Sequence, residues 1–396
     1  MKKTIKDYKI EGKKVIIRCD FNVPLNSKNK ITDYTRIKAN LKTIRYAVMK
    51  GAKVILLSHL GKVKCADDMK KNSLLPVSVA LSRYLNKEVL FCPETRGTNL
   101  ENMINKLKNG DVLLVENTRF EDLVGKKEST CDEELSKYWA SLGDIFINDA
   151  YGSCHRAHAS VTGIPKYIPS GIGYLIENEL TKIDSILNSD KHPFVVVMGG
   201  KKVEDKIVLI EKLIDKCDKL LVGGAMSFTF LKAKGYNVGK SIVSEEHISF
   251  CRNILEKYPK KIVLPYDFIV EDETSLGNKL IENFEDNDIG YDIGSKTVIE
   301  FTKILSSSKR VILNGPMGMF EEGRFSNGTY LIMQELSKSK AKTVVGGGDT
   351  ASAVNKLGFE KKFYHVSTGG GATMKYLEEG KLIGIEVIDD ENNEKK

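Results

Sequence analysis

Short runs of β-branched residues alternate with helix-patterned segments from one end of the chain to the other, and no other feature limits the architecture as much. The first half carries KVIIRCD, KVILLSH, EVLFCP, DVLLVENTRF and DIFINDAYG. The second carries PFVVVMGG, DKLLVGGA, KIVLPYDF, RVILNGP, TVVGGGD and FYHVSTGGG. Between the first two, Ile37, Leu41, Ile44 and Val48 recur at helical spacing and make one apolar face. Such alternation predicts parallel sheets with helices on both faces.

A chain of 396 residues is too long for one hydrophobic core. The pattern therefore predicts two Rossmann-like α/β domains joined by a hinge. The hinge is expected in GIPKYIPSGIGYLIENELTKID, which Pro165, Pro169, Gly171 and Gly173 punctuate ahead of a helical run. The expected division is residues 1–170, a hinge helix over 171–189, a second domain over 190–384 and a polar, frayed tail over 385–396. No apolar run approaches the roughly 20 residues needed to cross a bilayer. The basic start MKKTIKDYKI lacks the apolar core of a signal peptide. Seven irregularly spaced cysteines without a CxxC fit reduced thiols, so a cytoplasmic protein is expected. The net charge of +8 fits a lysine-rich surface or a basic cleft for an anionic substrate. No dense basic tract interleaved with aromatics points to nucleic acid.

The strand ends of the two halves differ. In the first half they carry Asp20, Asn22, His59, Arg119 and, after a turn, Arg156; in the second they carry glycines. Ligands of open α/β sheets sit outside the carboxyl ends of the strands. Arginine forks and glycine-loop amides both suit phosphate. Two local motifs mislead. GYNVGKS, residues 235–241, is one residue short of a P-loop and follows a helical run. GGGDTA fits a dinucleotide fingerprint locally, but the acid expected about 20 positions on is missing. What remains is a mononucleotide with a metal, for which Asp349 is the candidate ligand or merely a helix N-cap. Lys202 and Lys206, four apart after VVVMGG, can reach phosphate or face solvent. HRAH, residues 155–158, with Cys154 does not make a credible zinc site.

RCDFNVPL, SHLG, ENTRF, INDAYGSCHRAHAS, GGKKVEDKI, NGPMGMFE, GGGDT and HVSTGGGA occur in the order found in phosphoglycerate kinases. The chain resembles that family over essentially its whole length. The resemblance implies a monomer that transfers a phosphoryl group between 1,3-bisphosphoglycerate and MgADP, giving 3-phosphoglycerate and MgATP. It places Asp20, Asn22, Arg36, His59, Lys62, Arg119 and Arg156 at the phosphoglycerate site. Nucleotide contacts fall to Gly200, Lys202, Lys206, Gly223, Gly224, Gly290, Asn314, Glu321, Gly347, Gly348, Asp349 and Thr350, with Asp349 on Mg²⁺. Arg36, Lys202, Gly370 and Gly371 would surround the transferring group, beside Gly369. Three positions depart from the family: Lys62 replaces an arginine, Lys201 an alanine and Lys375 a glutamate, and one extra residue precedes Gly380. The competing readings are a nicotinamide oxidoreductase and a non-catalytic binding protein on a kinase scaffold.

Overall fold

The computed structural model describes residues 1–271 and 276–391. The chain divides into two compact units, Met1–Leu180 with the segment from Glu379 onward, and Thr181–Glu378. The strands of the first are β1 Lys14–Arg18, β2 Lys53–Leu57, β3 Val89–Cys92, β4 Val112–Val115, β5 Ile145–Asn148 and β6 Ser170–Ile172. They form one parallel sheet in the order β3-β4-β2-β1-β5-β6. The β-branched runs are buried on both faces, as a helix-covered sheet requires. Ile37, Leu41 and Ile44 of the helix Thr35–Met49 point into its core, with Val48 packed at the edge.

The second unit contains β7 Phe194–Met198, β8 Lys219–Val222, β9 Ile262–Val263, β10 Asp267–Glu271, β11 Leu276–Leu280, β12 Ile289–Ile293, β13 Arg310–Asn314, β14 Lys342–Gly346 and β15 His365–Val366. Its parallel sheet runs β15-β14-β13-β7-β8-β9, and β11-β10-β12 form a separate antiparallel sheet. Each six-stranded order reverses beside its first strand, between β1 and β5 and between β7 and β13, and such switch points open crevices for ligands.

The eleven expected strands all form. KIVLPYDF, read as one strand, instead splits at Pro265: Ile262–Val263 joins the parallel sheet and Asp267–Glu271 the antiparallel one. A proline cannot donate to a ladder, and it ends the first piece. The strands β6, β11 and β12 carry no dense apolar run and were not expected.

The segment expected as a hinge helix over 171–189 contains the helix Tyr174–Leu187, and the division between units falls within it. Where the sequence carried the second domain on to residue 384, the chain from Glu379 groups with the first unit. The Gly384 N–H donates to the Cys154 carbonyl at 2.8 Å, and the buried Asn148 side chain donates to the Gly384 carbonyl at 2.8 Å. Ile385 and Ile388 are buried, and the Asp389 carboxylate accepts from the Ser170 N–H at 3.0 Å. The start of the expected frayed tail is therefore packed, while residues 392–396 lie outside the described residues. Among the described residues no helix is long and apolar enough to cross a membrane.

The Asn148 amide also accepts from the Ala150 N–H at 3.1 Å. Asn148→Ala strands both the Gly384 carbonyl and that N–H, so it should destabilise the first unit by about 1–3 kcal/mol. Urea unfolding followed by circular dichroism checks this, and a midpoint equal to wild type would contradict it.

Candidate functional site

In the first unit the polar residues collect at the carboxyl end of the parallel sheet. Asp20 follows β1 and is buried; its carboxylate pairs with Arg36 from the first turn of the helix Thr35–Met49. Burial pushes the Asp20 pKa up, but Arg36 first, with Arg18 and the Asn22 N–H, outweighs it and holds the carboxyl below its ordinary value. Asn22 accepts from the Gly61 N–H at 2.8 Å and so ties the loop after β1 to the loop after β2. Arg119 is mostly covered, with its guanidinium on Asp122 at 2.8 Å and on Ser129 at 2.5 Å. Arg156 is exposed and donates to His155 at 3.1 Å. Burial first, then the charge of Arg119, lowers its pKa. Lys62 is exposed on the loop after β2.

Arg18 is a further charged residue at this sheet end, which no motif in the sequence singles out. It is wholly buried at the end of β1, donating to Ser160 at 2.8 Å and to the Cys19 carbonyl, with Nη2 3.2 Å from His59 Nδ1. Ser160 in turn bonds the equally buried Glu128, through its hydroxyl and through its N–H at 2.9 Å. The available signal was the arginine in KVIIRCD, a charge inside an otherwise apolar buried strand. Arg18, Arg119 and Arg156 act together on His158, whose pKa burial and these charges push down to about 3. His59 is likewise held well below its ordinary value by burial and then by Arg18. The first unit thus offers a set of permanent cations and two neutral imidazoles. A bound anion satisfies such a set.

In the second unit the glycine loops follow β7, β8, β13, β14 and β15, all at one edge of the parallel sheet. Those after β7, β8, β13 and β14, together with β12, line a cavity of about 330 Å³ at Gly200, Lys201, Gly224, Gly290, Glu321 and Asp349. Its apolar walls are Ala225, Ile242, Ile289, Tyr291 and Met319, which carried no recognisable sequence pattern. An apolar slot with an acid at one side and backbone amides at another suits a nucleoside phosphate. The rejected GYNVGKS segment is loop after the helix Ser227–Ala233. Its Ser241 accepts the Gly290 N–H at 3.0 Å and so supports the pocket wall.

The glycines do two different jobs. A side chain on Gly199 would strike the Pro316 carbonyl, one on Gly315 the Gly199 backbone, and one on Gly223 the Met317 side chain. These glycines, with Gly224 against Gly200, let strand ends pack closely. By contrast, Gly200 (φ +110°), Gly348 and Gly370 (φ +52°) have open space where a side chain would stand. This second set leaves room for a ligand to approach the backbone, although the Gly200 N–H itself already donates to the Pro316 carbonyl at 2.9 Å. Gly348 begins the helix Gly348–Lys356 and Gly371 begins Gly371–Glu379, so both present helix N-termini. Gly347 packs against Asn314, and the buried Thr350 hydroxyl accepts the Gly315 N–H at 2.6 Å.

The two lysines differ as well. Lys206 is partly buried and donates to Asn314 at the end of β13. Burial lowers its pKa, opposed by Asp205, Asp349 and Glu378. Lys202 is about half exposed, paired with Glu204 at 3.1 Å, and that bond raises its pKa. Lys202 therefore does not join the Lys206–Asn314 contact. Asp349, exposed in the first turn of its helix, is a single carboxylate, and no group of three or more His, Cys, Asp or Glu able to hold an ion occurs among the described residues. That donor set fits Mg²⁺ carried largely by phosphate oxygens and water, and does not fit a protein cage.

Two α/β units, one offering arginines and the other a phosphate-sized glycine edge with lysine and a lone carboxylate, define a phosphotransferase. The comparisons give the family. The phosphoglycerate kinase family model matches residues 5–381. The phosphoglycerate kinase of Fusobacterium nucleatum is 48% identical over 396 residues, covering 98% of this chain and 99% of the relative. That of Enterococcus faecalis is 48% identical over 395 residues with the same coverage. Solved phosphoglycerate kinases from Coxiella burnetii (TM-score 0.87, 35% identity) and Pyrococcus horikoshii (0.85, 29%) each cover 98% of both chains. The chain belongs to the phosphoglycerate kinase family, and neither the oxidoreductase nor the non-catalytic reading finds support.

The low pKa of His158 has a consequence for stability. Below pH 6.5 the unfolded chain binds a proton at this residue that the folded chain refuses until about pH 3. Unfolding then takes up protons, so stability falls as pH falls through that window, by up to about 1.4 kcal/mol per pH unit. His158→Gln should lose about 2 kcal/mol less than wild type between pH 7 and pH 5 in urea titrations. Parallel losses in the two proteins would contradict the assignment.

Proposed function

We propose that the chain catalyses reversible phosphoryl transfer between 1,3-bisphosphoglycerate and MgADP, forming 3-phosphoglycerate and MgATP in glycolysis. The observation that carries this reading is the segregation of arginines to one sheet end and of open glycine amides to the other, in a chain of this family. Asp20, Asn22, Arg36, His59, Lys62, Arg119 and Arg156 bind the phosphoglycerate. Gly200, Gly224, Gly290, Glu321, Asn314 and Lys206 bind the nucleotide, with Gly223, Gly347 and Thr350 as backing. Asp349 would hold Mg²⁺, which when bound neutralises charge on the nucleotide phosphates.

The acceptor is a carboxylate with a pKa of about 4, ionised at neutral pH, so no general base is needed. Neutral His59 and His158 agree with that: they can donate or accept a hydrogen bond without moving a proton in the reaction. The obstacle is repulsion between the acceptor and the phosphate chain. Arg36 of the first unit, and Lys202 with the N–H groups at Gly370 and Gly371 of the second, supply the positive charge that opposes it, and the remaining barrier is lowered by positioning. A monomer in the cytoplasm is part of the proposal; seven unpaired thiols fit a reducing compartment.

A coupled assay with 3-phosphoglycerate and MgATP tests the reading: turnover is expected, and none above background would sink it. In the same protein Arg156→Ala should weaken 3-phosphoglycerate binding at least tenfold and leave MgADP binding within about twofold, by calorimetry. Equal losses for both ligands would refute the division of the sites.

Lys202 must leave Glu204 to meet a phosphate. If it acts mainly on the transition state, Lys202→Ala should lower kcat by about 10³ with little change in KM, as cationic groups in phosphoryl transfer do. A folded Lys202→Ala enzyme within threefold of wild-type kcat would pass the role to Lys206.

A further inference from the structure

One face of the helix Thr35–Met49 is polar and yet buried. Arg36, Asn40 and Thr43 stand at helical spacing on it, and Asn40 and Thr43 have no solvent exposure. Buried side-chain amides and hydroxyls are costly unless every group is satisfied, and here each one is. Asn40 accepts the Asp20 N–H at 3.0 Å, beside the Asp20–Arg36 pair. With its other end Asn40 donates to the Asp149 carbonyl at 2.8 Å and to the Asp149 carboxylate at 3.2 Å. Asp149 follows β5 and is also wholly buried. Its second oxygen accepts the N–H groups of Leu175 at 2.8 Å and Ile176 at 3.4 Å. Thr43 accepts the Tyr174 N–H at 2.9 Å and bonds Asp149 as well.

Those last three N–H groups are the first turn of the helix Tyr174–Leu187, the segment that leads from the first unit into the second. The chain of bonds therefore starts at a side chain of the phosphoglycerate site and ends at the start of the connecting helix. From Arg36 to Thr43 it spans about two turns of the intervening helix, about 10 Å. Gly173 fits the same picture, because a side chain there would strike the Asp149 carboxylate. A simple N-cap needs one short polar side chain at the surface. Here a carboxylate is held instead in the interior, where burial pushes its pKa up to about 7.

We propose that Asn40, Thr43 and Asp149 are positioning residues for the transfer reaction, joining the Asp20–Arg36 pair to the N-terminus of the connecting helix. The proposal rests on the assignment of Asp20 and Arg36 to phosphoglycerate. Binding at Arg36 then tightens the first turn of the connecting helix through Asn40 and Asp149, without any of the three touching substrate.

Two variants test it in the full chain. Asp149→Asn keeps the shape but puts an NH₂ where one set of donors needs an acceptor. Thr43→Val keeps the volume and removes the acceptor of Tyr174. Each should bind 3-phosphoglycerate and MgATP within about threefold of wild type by calorimetry, while kcat falls about tenfold. In wild type, 3-phosphoglycerate should slow amide exchange at residues 174–176, and the variants should lose that slowing. If Asp149→Asn does not fold, Thr43→Val carries the comparison. Wild-type exchange unmoved by a bound ligand, or folded variants with wild-type kcat, overturns the relay. Failure of wild type to bind 3-phosphoglycerate overturns the site assignment instead.

Discussion

All strands of each six-stranded sheet run the same way, and the functional arrangement depends on that constraint. Parallel strands must be joined by crossovers, so every carboxyl end opens on one edge and every return helix begins there. Asp20, His59, Arg119 and Arg156 lie far apart in sequence, yet they follow β1, β2, β4 and β5 and share an edge. The glycine loops after β7, β13 and β14 come together for the same reason. An antiparallel sheet of the same strands would have sent half of them to the opposite end.

Concentrating cations at one edge raises an electrostatic problem in the absence of substrate. Arg18 has no solvent to screen it, and Glu128, Ser160 and the Cys19 carbonyl take that place. A buried charge left without such partners costs several kcal/mol. Burial first, and then the same cations, keep His59 and His158 neutral, so the anion meets fixed charges only. The second unit solves its part differently, with helix N-termini and amides whose charge is built into the backbone. Of the lysines after β7, Lys206 is held by Asn314 and Lys202 by Glu204.

Chemical kind was legible in the chain. Alternating apolar runs announced parallel α/β units, arginines and glycines after those runs announced phosphate, and long motifs such as RCDFNVPL and CHRAHAS carried the family. Less was legible where the signal is weak or non-local. The strands β11 and β12 interrupt their apolar residues with glycine and polar or charged ones, so their pattern is lost among loops. Arg18 looked like part of a strand. Lys202 and Lys206 looked alike, because their difference arises from Glu204 on one side and Asn314, distant in sequence, on the other.

The sequence by itself determined which backbone could form where. Residue types and spacing set strand and helix preferences, and those are local energies read over a few residues. It also determined which side chains could meet phosphate, since charge and geometry belong to the residue. Tertiary structure alone decided which glycines serve packing and which face open space, because that depends on atoms such as the Pro316 carbonyl, more than a hundred positions from Gly199. It likewise decided that the segment from Glu379 returns to the first unit, and that Asn40, Thr43 and Asp149 form one network. Burial and hydrogen-bond partnership are properties of three-dimensional neighbours, and no window of sequence contains them.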